Sequence, residues 1–178
     1  MSDRSVQLMA HPGHPIDGVD RLEFSARWIG DGLIMQYDLF GDLSLLAIPV
    51  GDGGDRRDEL WRRTCFEAFV CANGSDAYAE FNFSPNGDWA AYQFSDYRTG
   101  QSDLDVAAPR IELTSTREHL SLTVVLDEAQ FAFSAKKLRL GPTAIIEGND
   151  GQLSYWALHH PSNKPDFHRS ETFQLSLD

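Results

Sequence analysis

LWRRTCFEAFVCANGSDAYAEFNFSPNGDWAAYQFSDYR, residues 60–98, holds three short β-type runs separated by two turn signals. Asn73-Gly74-Ser75-Asp76 reads as a four-residue hairpin loop. Ser84-Pro85-Asn86-Gly87 reads as a turn, with Pro presetting one position and Asn-Gly tolerating positive φ. Pairing outward from these loops sets Glu67 opposite Asn82, Phe69 opposite Glu80 and Cys71 opposite Tyr78, then Asn82 opposite Trp89 and Tyr78 opposite Gln93. Opposed residues share a sheet face. One face is then expected to hold Phe66, Ala68, Val70, Ala79, Phe81, Phe83, Ala90, Tyr92 and Phe94, which is a core. The other carries Glu67, Phe69, Tyr78, Glu80, Asn82, Trp89 and Gln93, a mixture of carboxylates, amides and aromatic rings suited to meeting a ligand.

Outward from this stretch the same pattern of short β-type runs recurs, at 21–29, 33–40, 43–50, 110–115, 120–126, 138–147, 153–159 and 172–177. About ten strands with turn residues between them predict an all-β fold, an antiparallel β-sandwich of jelly-roll type. Helical character is brief, at 56–63 and 128–131, and 51–55 (GDGGD) reads as a flexible surface loop. The 178 residues, 42% of them hydrophobic, are enough for one well-buried core and few for two, so residues 1–178 are read as a single domain.

The formal net charge of −12, from 15 Lys and Arg against 27 Asp and Glu, argues against nucleic acid or an anionic membrane as partner, because both need concentrated positive charge. The start MSDRSVQLMAHPGHP has no apolar targeting core, and no run approaches the roughly 20 apolar residues of a membrane span. A cytoplasmic location is the expectation. Cys65 and Cys71 lie in one predicted strand, about 20 Å apart at roughly 3.3 Å per residue, and are expected as free thiols.

LMAHPGHP near the start, LWRRTCFEAFV at 60–70, YAEFNFSPNGDWAAY at 78–92 and YWALHHPSNKPDFH at 155–168 together resemble the bacterial DOMON-like proteins related to family 9 carbohydrate-binding modules. The resemblance runs across nearly the whole chain. It implies a β-sandwich or jelly roll of a kind used to bind sugars or haem. In the carbohydrate-binding relatives two aromatic rings clamp a sugar while polar side chains bond its hydroxyls. The resemblance does not assign both rings to positions here, and Trp89 is placed by register alone.

Glu67 and Glu80 lie diagonally across one strand pair, close enough for their side chains to converge. Paired carboxylates can hydrolyse a glycoside, accept protons from sugar hydroxyls, or belong to a structural network. Of the four tryptophans, Trp28, Trp61 and Trp156 read as core, and only Trp89 falls among polar neighbours. His11 and His14 near one end, with His159, His160 and His168 near the other, could converge on a metal, but their Pro-flanked segments are irregular and lack the spacing of a helical metal site. PDFH at 165–168 reads as a turn docking the last strand through Phe167, with Asp166 bonding backbone amides. Haem ligation would need Met9 or Met35, neither of which lies in a matching motif. No nucleophile elbow or phosphate loop occurs.

These residues predict a non-catalytic module whose ligand is a saccharide or sugar-containing metabolite, bound by Glu67, Tyr78, Glu80, Asn82, Trp89 and Gln93. No metal or other cofactor is assigned, with calcium and haem left open, and the oligomeric state is not legible. The alternatives are a glycoside-processing enzyme using Glu67 and Glu80, a haem-binding domain, and a protein-interaction domain.

Overall fold

In the computed structural model, which describes residues 5–127, 130–131 and 137–177, twelve antiparallel strands form one sheet, eleven of them in a continuous path. They are β1 (Val6–Ala10), β2 (Arg21–Ile29), β3 (Gly32–Phe40), β4 (Cys65–Ala72), β5 (Tyr78–Phe83), β6 (Trp89–Phe94), β7 (Ser102–Asp103), β8 (Arg110–Ser115), β9 (His119–Asp127), β10 (Leu138–Glu147), β11 (Leu153–Ala157) and β12 (Leu175–Leu177). The path runs β7-β6-β5-β4-β10-β11-β1-β2-β3-β9-β8, with β12 beside the start of β10. β1 joins the two layers of the sandwich. Its residues Val6, Gln7 and Leu8 pair with β2, whereas Met9 and Ala10 pair with β11.

Alternation explains the layering. In β3 and β9 every second residue is apolar, so Leu33, Met35, Tyr37 and Leu39 meet Leu120, Leu122, Val124 and Leu126 on one buried face. Against them pack Phe66, Ala68 and Val70 of β4, with Phe81 and Phe83 of β5. Tyr37 keeps its polar end satisfied by donating to the Glu67 carbonyl at 2.6 Å. Strands β4 and β5 differ from β3 and β9 in being buried on both faces.

The first hairpin has the expected register, Glu67 opposite Asn82, Phe69 opposite Glu80 and Cys71 opposite Tyr78. The second is displaced by one residue. Ser84 N–H bonds the Asp88 carbonyl at 2.8 Å and Gly87 N–H bonds the Ser84 carbonyl at 2.9 Å, with Gly87 at φ 96°. The connection is therefore a three-residue loop, a turn followed by a left-handed glycine, where a two-residue loop was expected. Asn82 faces Ala90, Phe83 faces Trp89, and Tyr78 faces Phe94. A slip of one residue inverts every side chain of a strand. Trp89 consequently enters the core, Gln93 sits exposed on the core side of the sheet edge, bonded to Ser102, and Ala90, Tyr92 and Phe94 move to the other face.

Other differences are smaller. Residues 43–50 form a short 3-10 turn (Leu43–Leu45) and a single bridge at Leu46, since Asp42 caps Ser44 and diverts the chain from a strand. Only Leu60–Arg62 of the 56–63 segment is helical. The helical reading at 128–131 falls largely outside the described residues. The 51–55 loop is tied down: Gly53 N–H bonds the Asn86 carbonyl, and Gly54 and Asp55 N–H bond the Asp88 carboxylate. Cys65 and Cys71 are free and buried.

Candidate functional site

The outer face of β4, β5, β6, β10 and β11 is a ladder of rows. One row runs Ala157, Thr143, Glu67, Asn82, Ala90 across five strands, and the next runs Gly141, Phe69, Glu80, Tyr92, Asp103. Small residues end the first row, leaving space above its polar centre. Two segments build walls around that space. Residues 55–57 run beside β6, with Trp89 N–H bonding the Asp55 carbonyl and Arg57 N–H the Trp89 carbonyl. This alignment carries Asp58, Glu59 and Trp61 to one rim.

The chain from Pro165 to Phe173 forms the other wall. Gly141 makes the docking possible, because a Cβ there would lie 2.6 Å from the Phe173 ring. Asp166 fixes the segment. It accepts from Tyr97 Oη at 2.7 Å, from Arg98 Nη2 at 3.0 Å and from the His168 backbone N–H at 3.3 Å. Burial would push its carboxyl up, but these donors outweigh burial and hold it below the usual aspartate range. The expected turn at 165–168 is present, with Phe167 buried against Phe69 and Tyr155.

Between the walls lies an open cleft of about 730 Å³. Glu67 and Glu80 are at its floor, aromatic rings of Tyr92, Phe94, Tyr155 and Phe167 line its sides, and Trp61, 45% exposed, stands at its mouth. Glu67 takes a bond from Thr143 Oγ1 at 3.0 Å, and Asn82 Nδ2 donates to Glu80 Oε1 at 2.9 Å. Burial, then the neighbouring Glu80 charge, pushes the Glu67 carboxyl well up; burial also raises Glu80, against its Asn82 bond and the Arg98 charge. Neither carboxylate has a Lys or Arg ion pair among the described residues, where the nearby cations are committed elsewhere: Arg98 to Asp166 and Arg56 to Asp58 and Asp103.

The polar floor was legible in sequence, and the aromatic walls were not. Glu67 and Glu80 line the cleft, and Asn82 lies fully buried beneath them. Tyr78 stands behind the wall, its ring stacked on Phe94 at 4.7 Å and its hydroxyl against His168 Nδ1 at 2.8 Å. Trp89 and Gln93 are not in the cleft; the tryptophan there is Trp61, expected in the core. Trp61 and His168 were missed because loop docking places them, which strand alternation does not report; Tyr155, on β11 opposite Ile145, was within reach of alternation and was passed over. The composition of the 155–168 segment, with three His and one each of Tyr, Trp and Phe, was the available signal.

His11, His14 and His160 do gather, with ring centroids 5.0–5.3 Å apart. Three of the nitrogens serve the backbone: His11 Nδ1 accepts from Gly13 N–H, His11 Nε2 faces the Ser162 carbonyl and His160 Nε2 the Met9 carbonyl. Among the described residues no group of three His, Cys, Asp or Glu is arranged to hold a metal. Met35 is in the core and Met9 is exposed on β1, so neither reaches the cleft.

No sequence family pattern and no curated protein matches the chain. Solved structures do. A Bacteroides uniformis ATCC 8492 protein provisionally described as carbohydrate-binding superposes with a TM-score of 0.71 at 14% identity, over 99% of this chain and 87% of that one. Family 9 carbohydrate-binding modules from Caldicellulosiruptor kristjanssonii, in complex with glucose and with cellotriose, superpose at 0.55 each, with 7% and 8% identity, over 97% of this chain and 83% and 81% of theirs. The likeness is one of fold.

Proposed function

We propose that this protein is a non-catalytic saccharide-binding module of the DOMON-like kind, holding its ligand in the cleft between Trp61 and the floor formed by Glu67 and Glu80. The observation that carries this reading is an exposed indole at the mouth of an aromatic-walled cleft with buried acid and amide groups at its base. Indole and phenol rings stack on the apolar faces of pyranoses, and a few convergent polar groups orient the hydroxyls. The neighbours of the same fold that were crystallised with glucose and cellotriose favour the same ligand class. Glycoside hydrolysis is less well supported, because Glu67 is engaged by Thr143 and burial pushes its carboxyl well up, which disfavours the ionised form a nucleophile needs.

The test is a titration of mono- and oligosaccharides followed by heat and indole fluorescence. Dissociation constants on the order of micromolar to millimolar are expected from stacking and solvent-competed hydrogen bonds. Trp61→Ala should abolish or weaken binding at least about tenfold while leaving the melting temperature nearly unchanged, since this side chain is half in solvent. Trp89→Ala, a cavity-forming change in the core, should instead cost about 3–5 kcal/mol of stability. Silence across a broad saccharide panel would rule the reading out.

A further inference from the structure

The tautomer of His168 follows from its neighbours. Arg98 N–H donates to Tyr78 Oη at 3.2 Å, so the phenol oxygen already accepts there, and its own proton is directed to His168 Nδ1 at 2.8 Å. The imidazole proton then resides on Nε2. Burial, followed by the Arg98 charge, lowers this histidine to about 4, so the ring is neutral near pH 7. Its Nε2–H lies 3.7 Å from Glu80 Oε2, too far for a hydrogen bond, and both residues line the cleft. Glu80 Oε1 is occupied by Asn82, whereas no donor reaches Oε2 within hydrogen-bond distance among the described residues. A fixed donor and a fixed acceptor thus face the same cleft across a gap that one oxygen atom can bridge at about 2.7–3.0 Å from each.

We propose that His168 Nε2–H and Glu80 Oε2 form a donor–acceptor pair that seats a single hydroxyl of a neutral sugar, accepting from the histidine and donating to the carboxylate. This rests on the saccharide reading of the cleft and adds a specificity rule to it. A hydroxyl satisfies both partners at once. A deoxy position satisfies neither and leaves both desolvated, the costly outcome for a buried polar site. Tyr78 and the Arg98 backbone act at one remove, by holding the ring in the required tautomer.

The experiment is a double-mutant cycle between protein and ligand. Affinities of a sugar that binds, and of its series of monodeoxy analogues, are measured for the native protein, His168→Phe, His168→Gln and Glu80→Gln, with circular dichroism melts confirming that each is folded. One deoxy position is expected to cost the native protein about 10- to 100-fold. In His168→Phe the penalty at that same position should shrink by at least about fivefold, with the other positions unchanged. His168→Gln retains an amide donor and should recover part of the discrimination, which a purely structural role for the ring would not give. Equal penalties at every position in native protein and variants would overturn the pair while leaving the saccharide reading intact. If no sugar binds the native protein, the saccharide reading fails and takes the pair with it. Should one histidine variant not fold, the other and Glu80→Gln still decide the matter.

Discussion

Glu67 shows how a single residue can cost stability for the sake of a site. Its carboxyl is buried between Thr143 and Asn82 in one row of the ladder, and its pKa is pushed well up, by burial first and by Glu80 second. An acid with a raised folded pKa keeps its proton while the unfolded chain, with a value near 4.3, releases it. From about pH 4.3 up to the raised folded value, this group therefore lowers stability as pH rises, by at most about 1.4 kcal/mol per pH unit. Asn82, directly opposite Glu67 on β5, has a buried Oδ1 with no hydrogen-bond partner among the described residues, an acceptor that a protonated carboxyl could use. Glutamine supplies the same donor without the titration. Glu67→Gln is expected to match the native protein near pH 4 and to exceed it increasingly as pH rises toward the raised folded value in urea melts, with loss of a protonated-carboxyl infrared band. A variant that is less stable than native throughout this range would mean that Glu67 works as an anion.

At the scale of elements, the pairing of strands was largely readable and the docking of loops was not. Runs of alternating residues located β2, β3, β8 and β9 to within a residue or so, because alternation is a direct image of one buried and one less buried face, while β10, buried on nearly its whole length, was located as a mostly apolar run. The register of β6 depended on whether the Ser84–Asp88 connection loops over two residues or three, and the same Pro-Asn-Gly chemistry serves both. That one residue exchanged Trp89 for Tyr92 and Phe94 on the outer face. Trp61 and His168 were beyond alternation altogether, since they reach the cleft through Arg57, Asp88 and Asp166 contacts between segments distant in sequence. Asp166 offers the sharpest test of the docked wall. Its depressed pKa means that its contribution is present above the unfolded aspartate value of about 3.9 and is lost as pH falls through the lower folded value. Asp166→Ala should accelerate amide exchange from Phe167 to Thr172 and lower stability by about 1–3 kcal/mol at pH 7. Unaltered exchange there would show that Gly141 and Phe173 suffice to hold the segment.

For the whole molecule, the cleft exists only when the sandwich is complete. Its floor comes from β4 and β5, its walls from β6, β11 and the 165–168 turn, and one rim from residues 58–61, so the unfolded chain has no version of it. A ligand that binds this cleft must therefore favour the native state by mass action, RT ln(1 + [L]/Kd), which is about 2.7 kcal/mol at a hundredfold excess over Kd. In a domain of this size 1 kcal/mol moves the melting temperature by about 2–4 °C, so saturation should raise it by about 5–11 °C. The rise should follow the logarithm of ligand concentration and fall by about half or more in Trp61→Ala. Trp61 is the discriminating position because its loss leaves the core intact, so an unchanged shift in that variant would place the ligand somewhere other than the cleft. A sugar that binds by calorimetry yet leaves the melting temperature unmoved would likewise lie outside the cleft, since binding at the assembled floor and walls cannot be indifferent to unfolding.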